Sequence, residues 1–200
     1  MRAPRALLFC LTTVVSPSAA QAPTDFYARV GLTGSTRLLR DEIFQEIAVQ
    51  PSLAPTLVLG VAVPFTPLYR VGLEGTFTSS GFHSSEGTSD TDLGTLHTGA
   101  LMLGLDGPVW RQFRWRAGLG LLKYWPADDS GIFLRGGSTR FLVGAGLDYR
   151  RPVMSRWDLS AALRYDFHRF TTDELIARGF SGSQGVQRVS ISLGLARGHQ

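Results

Sequence analysis

Apolar and polar residues alternate one by one along nearly the whole chain after residue 25. The stretch Trp157–His168 is the clearest case. Trp157, Leu159, Ala161, Leu163, Tyr165 and Phe167 share one parity, and Asp158, Ser160, Ala162, Arg164, Asp166 and His168 share the other. Period-two alternation is the mark of a β-strand whose two faces meet different surroundings. Comparable segments run over Phe26–Leu32, Leu57–Val63, Tyr69–Phe77, about Thr95–Leu105, Phe113–Leu121, Phe141–Tyr149 and Val189–Leu195. Eight strands are predicted, each of roughly ten residues, the length that crosses a bilayer when a strand is tilted by about 45°. No βαβ pattern, long helical period or internal sequence repeat interrupts them.

The connections alternate in kind. Long polar segments lie at about Ser35–Ala54, Ser79–Asp92, Pro126–Thr139 and Arg169–Gly185. Short ones containing proline lie between them, at Pro64-Phe65-Thr66-Pro67, Asp106-Gly107-Pro108 and Arg151-Pro152-Val153. This asymmetry predicts an antiparallel up-and-down barrel whose ends face different compartments, with short periplasmic turns and long external loops. An even strand number places both termini at the short-turn end. Two stretches carry weak helical signals: Asp41–Ile47, and TTDELIARGF, where Thr172 would cap a short helix and Gly179 would end it.

The apolar parity is expected to face lipid. It carries long aliphatics through the strand centres and aromatics near the ends. Phe26, Phe65, Tyr69, Trp110, Phe113, Trp115, Tyr149 and Trp157 would form an inner girdle, and Phe77, Phe141, Phe167 and Trp125 an outer one. The polar parity is rich in Gly, Ala, Ser and Thr, which suits the narrow interior of a small barrel. It also carries Arg29, Glu74, Arg114, Arg116, Asp148, Arg164 and Asp166, expected to form an ionic network that fills the lumen, with Asp158 a further acceptor. The fold expected is therefore all-β, an eight-stranded antiparallel up-and-down transmembrane β-barrel. A soluble secreted barrel or sandwich would bury the apolar parity instead.

Composition adds export. Residues 1–22 read as a signal peptide: Arg2 and Arg5, an apolar run from Ala6 to Val15 too short to span a bilayer, and the small-x-small site Ala20-Gln21-Ala22. Residues 23–200 then form the barrel domain. The single cysteine, Cys10, lies inside the leader, so the exported part would hold no disulfide and no thiolate site. The formal charge of +4 falls by two when Arg2 and Arg5 leave, and no basic patch of the nucleic-acid-binding kind is present. Lys123 is the only lysine, so nearly all basic residues are arginines, whose rigid fork of donors suits buried ion pairs.

Candidate chemistry is sparse. His168 with Asp166 and Ser160 has the residue types of a hydrolase but not the spacing of a Ser/His dyad. His83 and His97 flank Glu86, Asp90 and Asp92 in a Ser/Gly/Thr-rich stretch that reads as a solvated loop rather than a metal centre. Asp128-Asp129-Ser130-Gly131 reads as a turn. Gly118-x-Gly120 and Gly136-Gly137 lack the strand-to-helix context of a phosphate loop. No cofactor or metal is expected.

From about Phe26 to Leu195 the chain resembles the small eight-stranded outer-membrane barrels of Gram-negative bacteria, of which the outer-membrane protein A barrel is the type. The resemblance rests on the strand pattern, the turn-and-loop asymmetry and the lumen charges, and it carries little about activity. It implies location in the cell outer membrane, and contact with outer-membrane lipids, lipopolysaccharide and the barrel assembly machinery. It also implies that the long loops face external partners. The role it suggests is non-enzymatic, structural or surface-interacting. The alternative is a small channel or transporter for small or apolar solutes, as in the outer-membrane protein W family. One departure concerns assembly. Such barrels usually end on an aromatic residue, whereas here Leu195 is followed by Ala196-Arg197-Gly198-His199-Gln200.

Overall fold

The computed structural model describes residues 24–41, 47–86, 89–128, 131–134, 137–177, 179 and 183–197. The proposed leader lies outside them. Ten strands are present in chain order: β1 (Asp25–Ser35), β2 (Leu39–Asp41), β3 (Ile47–Pro51), β4 (Ala54–Pro64), β5 (Arg70–Glu86), β6 (Ser89–Trp110), β7 (Phe113–Pro126), β8 (Thr139–Met154), β9 (Trp157–Phe170) and β10 (Gln184–Arg197). Eight of them close a ring by antiparallel pairing in the order β1, β4, β5, β6, β7, β8, β9, β10, with β10 returning to β1. Closure leaves the wall of the ring without an unpaired edge, which in hydrocarbon would cost several kcal/mol per backbone group. The ring is the expected barrel, and the alternation sets its faces.

Outward, Val30 is 66% exposed, Ile191 63%, Leu119 53% and Leu163 52%. Inward, Arg29 is 2% exposed and Asp148 1%. A soluble barrel buries leucine and exposes arginine. This one does the reverse, over a belt that circles the molecule. The belt far exceeds the few hundred Å² of contiguous apolar surface that a soluble monomer shows. Its lower margin is lined with aromatic rings in contact, Trp110 stacked on Phe113 at 6.4 Å and Phe113 tilted against Tyr149 at 5.2 Å. Tyr69 and Trp115 close over Gly107, where a Cβ would meet both rings at 2.7–2.8 Å.

The strand ends depart from expectation in three places, each with a local cause. Two of the proline-containing turns lie further along the chain. β6 runs through Pro108 to Trp110 and turns at Arg111-Gln112, and β8 runs through Pro152 to Met154 and turns at Ser155-Arg156. In both strands the register shifts just after the proline. The residues left out of the ladder are Val109 and Val153, each directly after a proline, whose missing N–H weakens the pairing there. Arg111 takes a left-handed φ of 49° to close its two-residue turn. The third short connection is as expected. Thr66 Oγ1 accepts from the backbone N–H groups of Leu68 at 3.3 Å and Tyr69 at 3.0 Å, holding the turn between β4 and β5.

The second departure is the length of β5 and β6, whose hairpin continues well past what a bilayer requires. The stretch Ser79–Asp92, expected as a loop, is mostly ladder. The third follows from it. β3 pairs with the projecting half of β5, from Ile47 opposite Glu86 to Pro51 opposite Phe82, and β2 pairs with β3. The helical turn expected at Asp41–Ile47 is thus bounded by strand at both ends, and residues 42–46 lie outside the described residues. The other helical signal holds. α1 (Asp173–Ala177) starts on Thr172, whose Oγ1 accepts from Leu175 N at 3.2 Å, and Gly179 follows with φ 90°.

Asp25 pairs with Ala62 of β4, and Phe26 with Arg197 of β10. Both ends of the ring therefore lie at the end of the short turns.

Candidate functional site: a layered lumen

The inward residues of the eight strands make three layers. Nearest the short turns is a rim. Asp25 accepts from Arg150 Nη1 at 2.8 Å and from Arg70 Nη1. Arg114 donates Nε to Asp106 at 2.6 Å and Nη2 to the Leu68 carbonyl at 3.0 Å. Asp25 thus joins β1 to β5 and β8, while Arg114 holds its own hairpin partner β6 and the turn between β4 and β5.

The middle layer centres on Glu74. Its carboxylate accepts from Arg29 at 2.7 Å, Arg116 at 2.8 Å, the Tyr27 hydroxyl at 2.7 Å, and Arg164. Asp148 takes the other side of two of these cations, Arg116 at 3.0 Å and Arg29 at 3.3 Å. The Tyr27 ring lies beneath the guanidiniums, 4.4 Å from Arg29 and 5.0 Å from Arg116, where the negative face of the ring adds attraction. Room for that ring comes from Gly60, its ladder partner on β4, where any Cβ would overlap it. An eight-stranded barrel has an interior just wide enough for side chains to fill, and five ionic groups and a phenol occupy this one.

The third layer is apolar. Leu96, Leu122, Leu142, Phe170 and Val186 point inward from the strand tips and are fully or almost fully buried. Phe133, from a 3-10 turn at Gly131–Phe133, drops between them. It meets Phe82 edge-on at 6.0 Å and Phe170 at 5.9 Å, while Tyr124 meets Phe170 at 5.2 Å. Thr172 donates to the Ile132 carbonyl at 2.7 Å, and Leu175 of α1 is buried in the same cluster. The two loops so joined cap the mouth. Beneath the cap, Arg188 donates to Thr98 at 3.1 Å and Thr78 at 3.4 Å.

Of the seven residues expected in an ionic network, Arg29, Glu74, Arg116, Asp148 and Arg164 meet in the middle layer. Arg114 shares their parity but lies in the rim on Asp106. Asp166 is turned inward above the network, and no ion pair reaches it among the described residues; its Oδ1 has no hydrogen-bond partner there. The sequence reading left out Tyr27, Asp25, Arg70, Asp106, Arg150 and Arg188. Parity alone could have placed Tyr27, Arg70 and Arg188. Asp106 was assigned to a turn and so was not counted as a strand residue. The apolar cap went unread because it reverses the rule. On β5, β7 and β9 the inward parity turns from polar to aromatic at the tips, at Phe82, Tyr124 and Phe170.

The residues weighed for chemistry are dispersed. Ser160 and His168 share one strand eight residues apart, roughly 26 Å at ~3.3 Å per residue, too far to act together. His168 Nε2 instead lies 2.7 Å from the Tyr124 hydroxyl under the cap. His97 faces outward and stacks on Phe77 at 5.9 Å. Among the described residues no three His, Cys, Asp or Glu side chains converge as metal ligands would.

No protein-family model matches the chain, and no curated protein matches it. Solved structures do. Neisserial surface protein A (NspA) superposes with a TM-score of 0.53 at 12% identity, over 87% of this chain and 96% of that one. AlkL, solved in lipid bilayers, gives 0.53 at 16% identity, over 91% and 93%. OprG from Pseudomonas aeruginosa gives 0.50 at 15% identity, over 88% and 96%. All three are outer-membrane or surface proteins by name. At such identities the likeness concerns the fold, and the fold is that of the small outer-membrane barrels. The chain has this fold, and its outward apolar belt is the kind of surface a lipid bilayer covers.

Proposed function

We propose that the protein is a non-enzymatic outer-membrane barrel with a sealed lumen, whose role is structural or lies in presenting its external face to partners. The observation that carries this reading is the double closure of the interior. Five ionic side chains fill its waist around Glu74, and an aromatic cap fills its outer mouth. Two cavities along the lumen are of water size, about 20 Å³ beside Arg164 and Asp166 and about 20 Å³ beneath Leu96 and Tyr124. A volume of that order holds about one water molecule and no solute.

The external face supports the second half of the reading. The β5–β6 hairpin projects with β2 and β3 along its side, giving a rigid ledge where a flexible loop would otherwise stand. Ladder hydrogen bonds hold such a surface in one shape, and a preorganised surface loses less entropy when it binds.

Planar-bilayer recording of the purified protein tests the seal. The expected result is a membrane that stays silent or shows only rare, brief openings. Large, steady, ungated conductance would contradict the reading and favour a channel for small solutes.

A further inference from the structure

Charge is distributed unevenly between the two ends of the barrel. At the short-turn end the exposed charged residues are Arg111, Arg151, Arg156 and Arg197, and no described Asp or Glu is exposed there. The carboxylates of that end, Asp25, Asp106 and Asp148, are buried in the lumen, and Asp158 is half-buried. Among the described residues the exposed acids, Asp90, Asp92, Asp128 and Asp173, all lie at the loop end. Two of the arginines bracket one tryptophan. Arg156 precedes Trp157 in the chain, and Arg197 is its ladder partner.

A second feature starts at the same tryptophan. An open apolar groove of about 870 Å³ runs over the outward face of β10, β1, β4 and β5, with Trp157 and Phe26 at its lower margin. Its floor has a simple origin. Gly75, Leu59, Ala28 and Leu195 form one row across four strands, so two positions with little or no side chain lie in a wall that is otherwise leucine. The volume falls within the roughly 300–1,000 Å³ of small-molecule sites. Phe26 and Trp157 both pair with Arg197, which places an arginine beside the groove's lower margin.

We infer that this wall binds an anionic phospholipid of the leaflet at the short-turn end, with an acyl chain laid over Ala28 and Gly75 and the phosphate between Arg156 and Arg197. Arginine is suited to the phosphate, which its fork of donors can hold at two oxygens. The groove suits a flexible hydrocarbon chain and offers no polar side chain to anything else. The amphipathic indole of tryptophan sits at a membrane interface where chain gives way to headgroup, and Trp157 occupies that boundary here. The inference rests on the membrane reading of the belt, and its test separates the two.

The test uses Trp157 as the reporter, in a chain carrying Trp110→Phe, Trp115→Phe and Trp125→Phe. The protein is reconstituted in phosphatidylcholine vesicles containing equal small fractions of dibrominated phosphatidylglycerol or dibrominated phosphatidylcholine. Bromine on the acyl chain quenches the indole only at contact. Several-fold stronger quenching by the phosphatidylglycerol is expected. The ratio should fall towards one in Arg156→Ala/Arg197→Ala, and also in Ala28→Leu/Gly75→Leu, which fills the groove. A Cβ at Gly75 would meet nothing closer than 4.0 Å, so the filled variant has room to fold. A faster-migrating band in the unheated gel lane confirms that each variant is a closed barrel. A ratio of one in the parent chain overturns the inference. An arginine variant that keeps the parent ratio overturns the headgroup assignment, and a filled groove that keeps it overturns the groove. Absence of quenching by either lipid would instead defeat the membrane reading itself.

Discussion

Replacing Glu74 with alanine is expected to destabilise the folded barrel by about 3–5 kcal/mol, the cost of removing one partner from a buried ion pair. Three guanidiniums, those of Arg29, Arg116 and Arg164, lose their shared acceptor at once. Asp148 can still serve Arg29 and Arg116, but Arg164 Nη2 is left without its partner. The cost comes from stranding cations that have left water, since the net worth of the intact network against an apolar filling is small. A contrast follows. Glu74→Gln keeps the shape and an acceptor oxygen and should lose less, and Arg164→Met combined with Glu74→Gln should recover part of the loss. Urea unfolding from phosphatidylcholine vesicles, followed by tryptophan fluorescence and unheated gel mobility, measures all three. A loss below about 1 kcal/mol for Glu74→Ala, the size expected of a solvated surface pair, would mean that water reaches the lumen freely.

Leu163→Arg is expected to cost ~2–4 kcal/mol, the penalty for arginine on the lipid face near the bilayer midplane. Leu163 lies mid-strand on β9, with Trp157 towards one interface and Phe167 towards the other, and it is 52% exposed. That exposure makes the substitution diagnostic. On a water-facing surface a leucine half open to solvent can be replaced with an effect within about 0.5 kcal/mol. The same substitution at His97, outward but near the loop end, should cost about 0–1 kcal/mol because the penalty fades towards the interface. Unfolding titrations of the two variants in the same vesicles give the comparison, and equal small losses at both sites would remove the lipid belt.

The parts of the structure that were legible in the sequence follow from the period of two. Parity is a binary choice repeated at every strand residue, so one confident assignment, such as that of Leu163 against Arg164, fixes its neighbours on both sides. The closing of eight strands follows from the same alternation, because a sheet that faces lipid on one side must have no open edge. Strand ends were harder. Pro108 and Pro152 signal turns when read locally, yet bulges carry the ladder past both of them. Ser79–Asp92 has the composition of a loop, but its hydrogen bonds continue those of the strands below. The middle of the lumen was partly legible, since Arg29, Glu74, Arg116, Asp148 and Arg164 share a parity. Which charges meet depends on barrel stagger, and the sequence does not carry that register. Arg114 and Arg116 are two residues apart on one face, yet the first pairs with Asp106 and the second reaches Glu74 and Asp148. The cap was hidden for another reason. Phe133 and Leu175 come from two loops far apart in the sequence that meet only in the folded barrel.

The orientation of the two faces is tested most directly by the accessibility of single spin labels in lipid. Cysteines are introduced one at a time at Leu119, Leu147 and Leu163, and at Ala162 and Ser192, in a chain carrying Cys10→Ser. Each label is then exposed to oxygen, which concentrates in the bilayer, and to a water-soluble nickel chelate. The labels at the three leucine positions should collide with oxygen and not with nickel, while those at Ala162 and Ser192 should be shielded from both. Shielded labels at the leucine positions, with nickel-accessible ones at Ala162 and Ser192, would contradict the account.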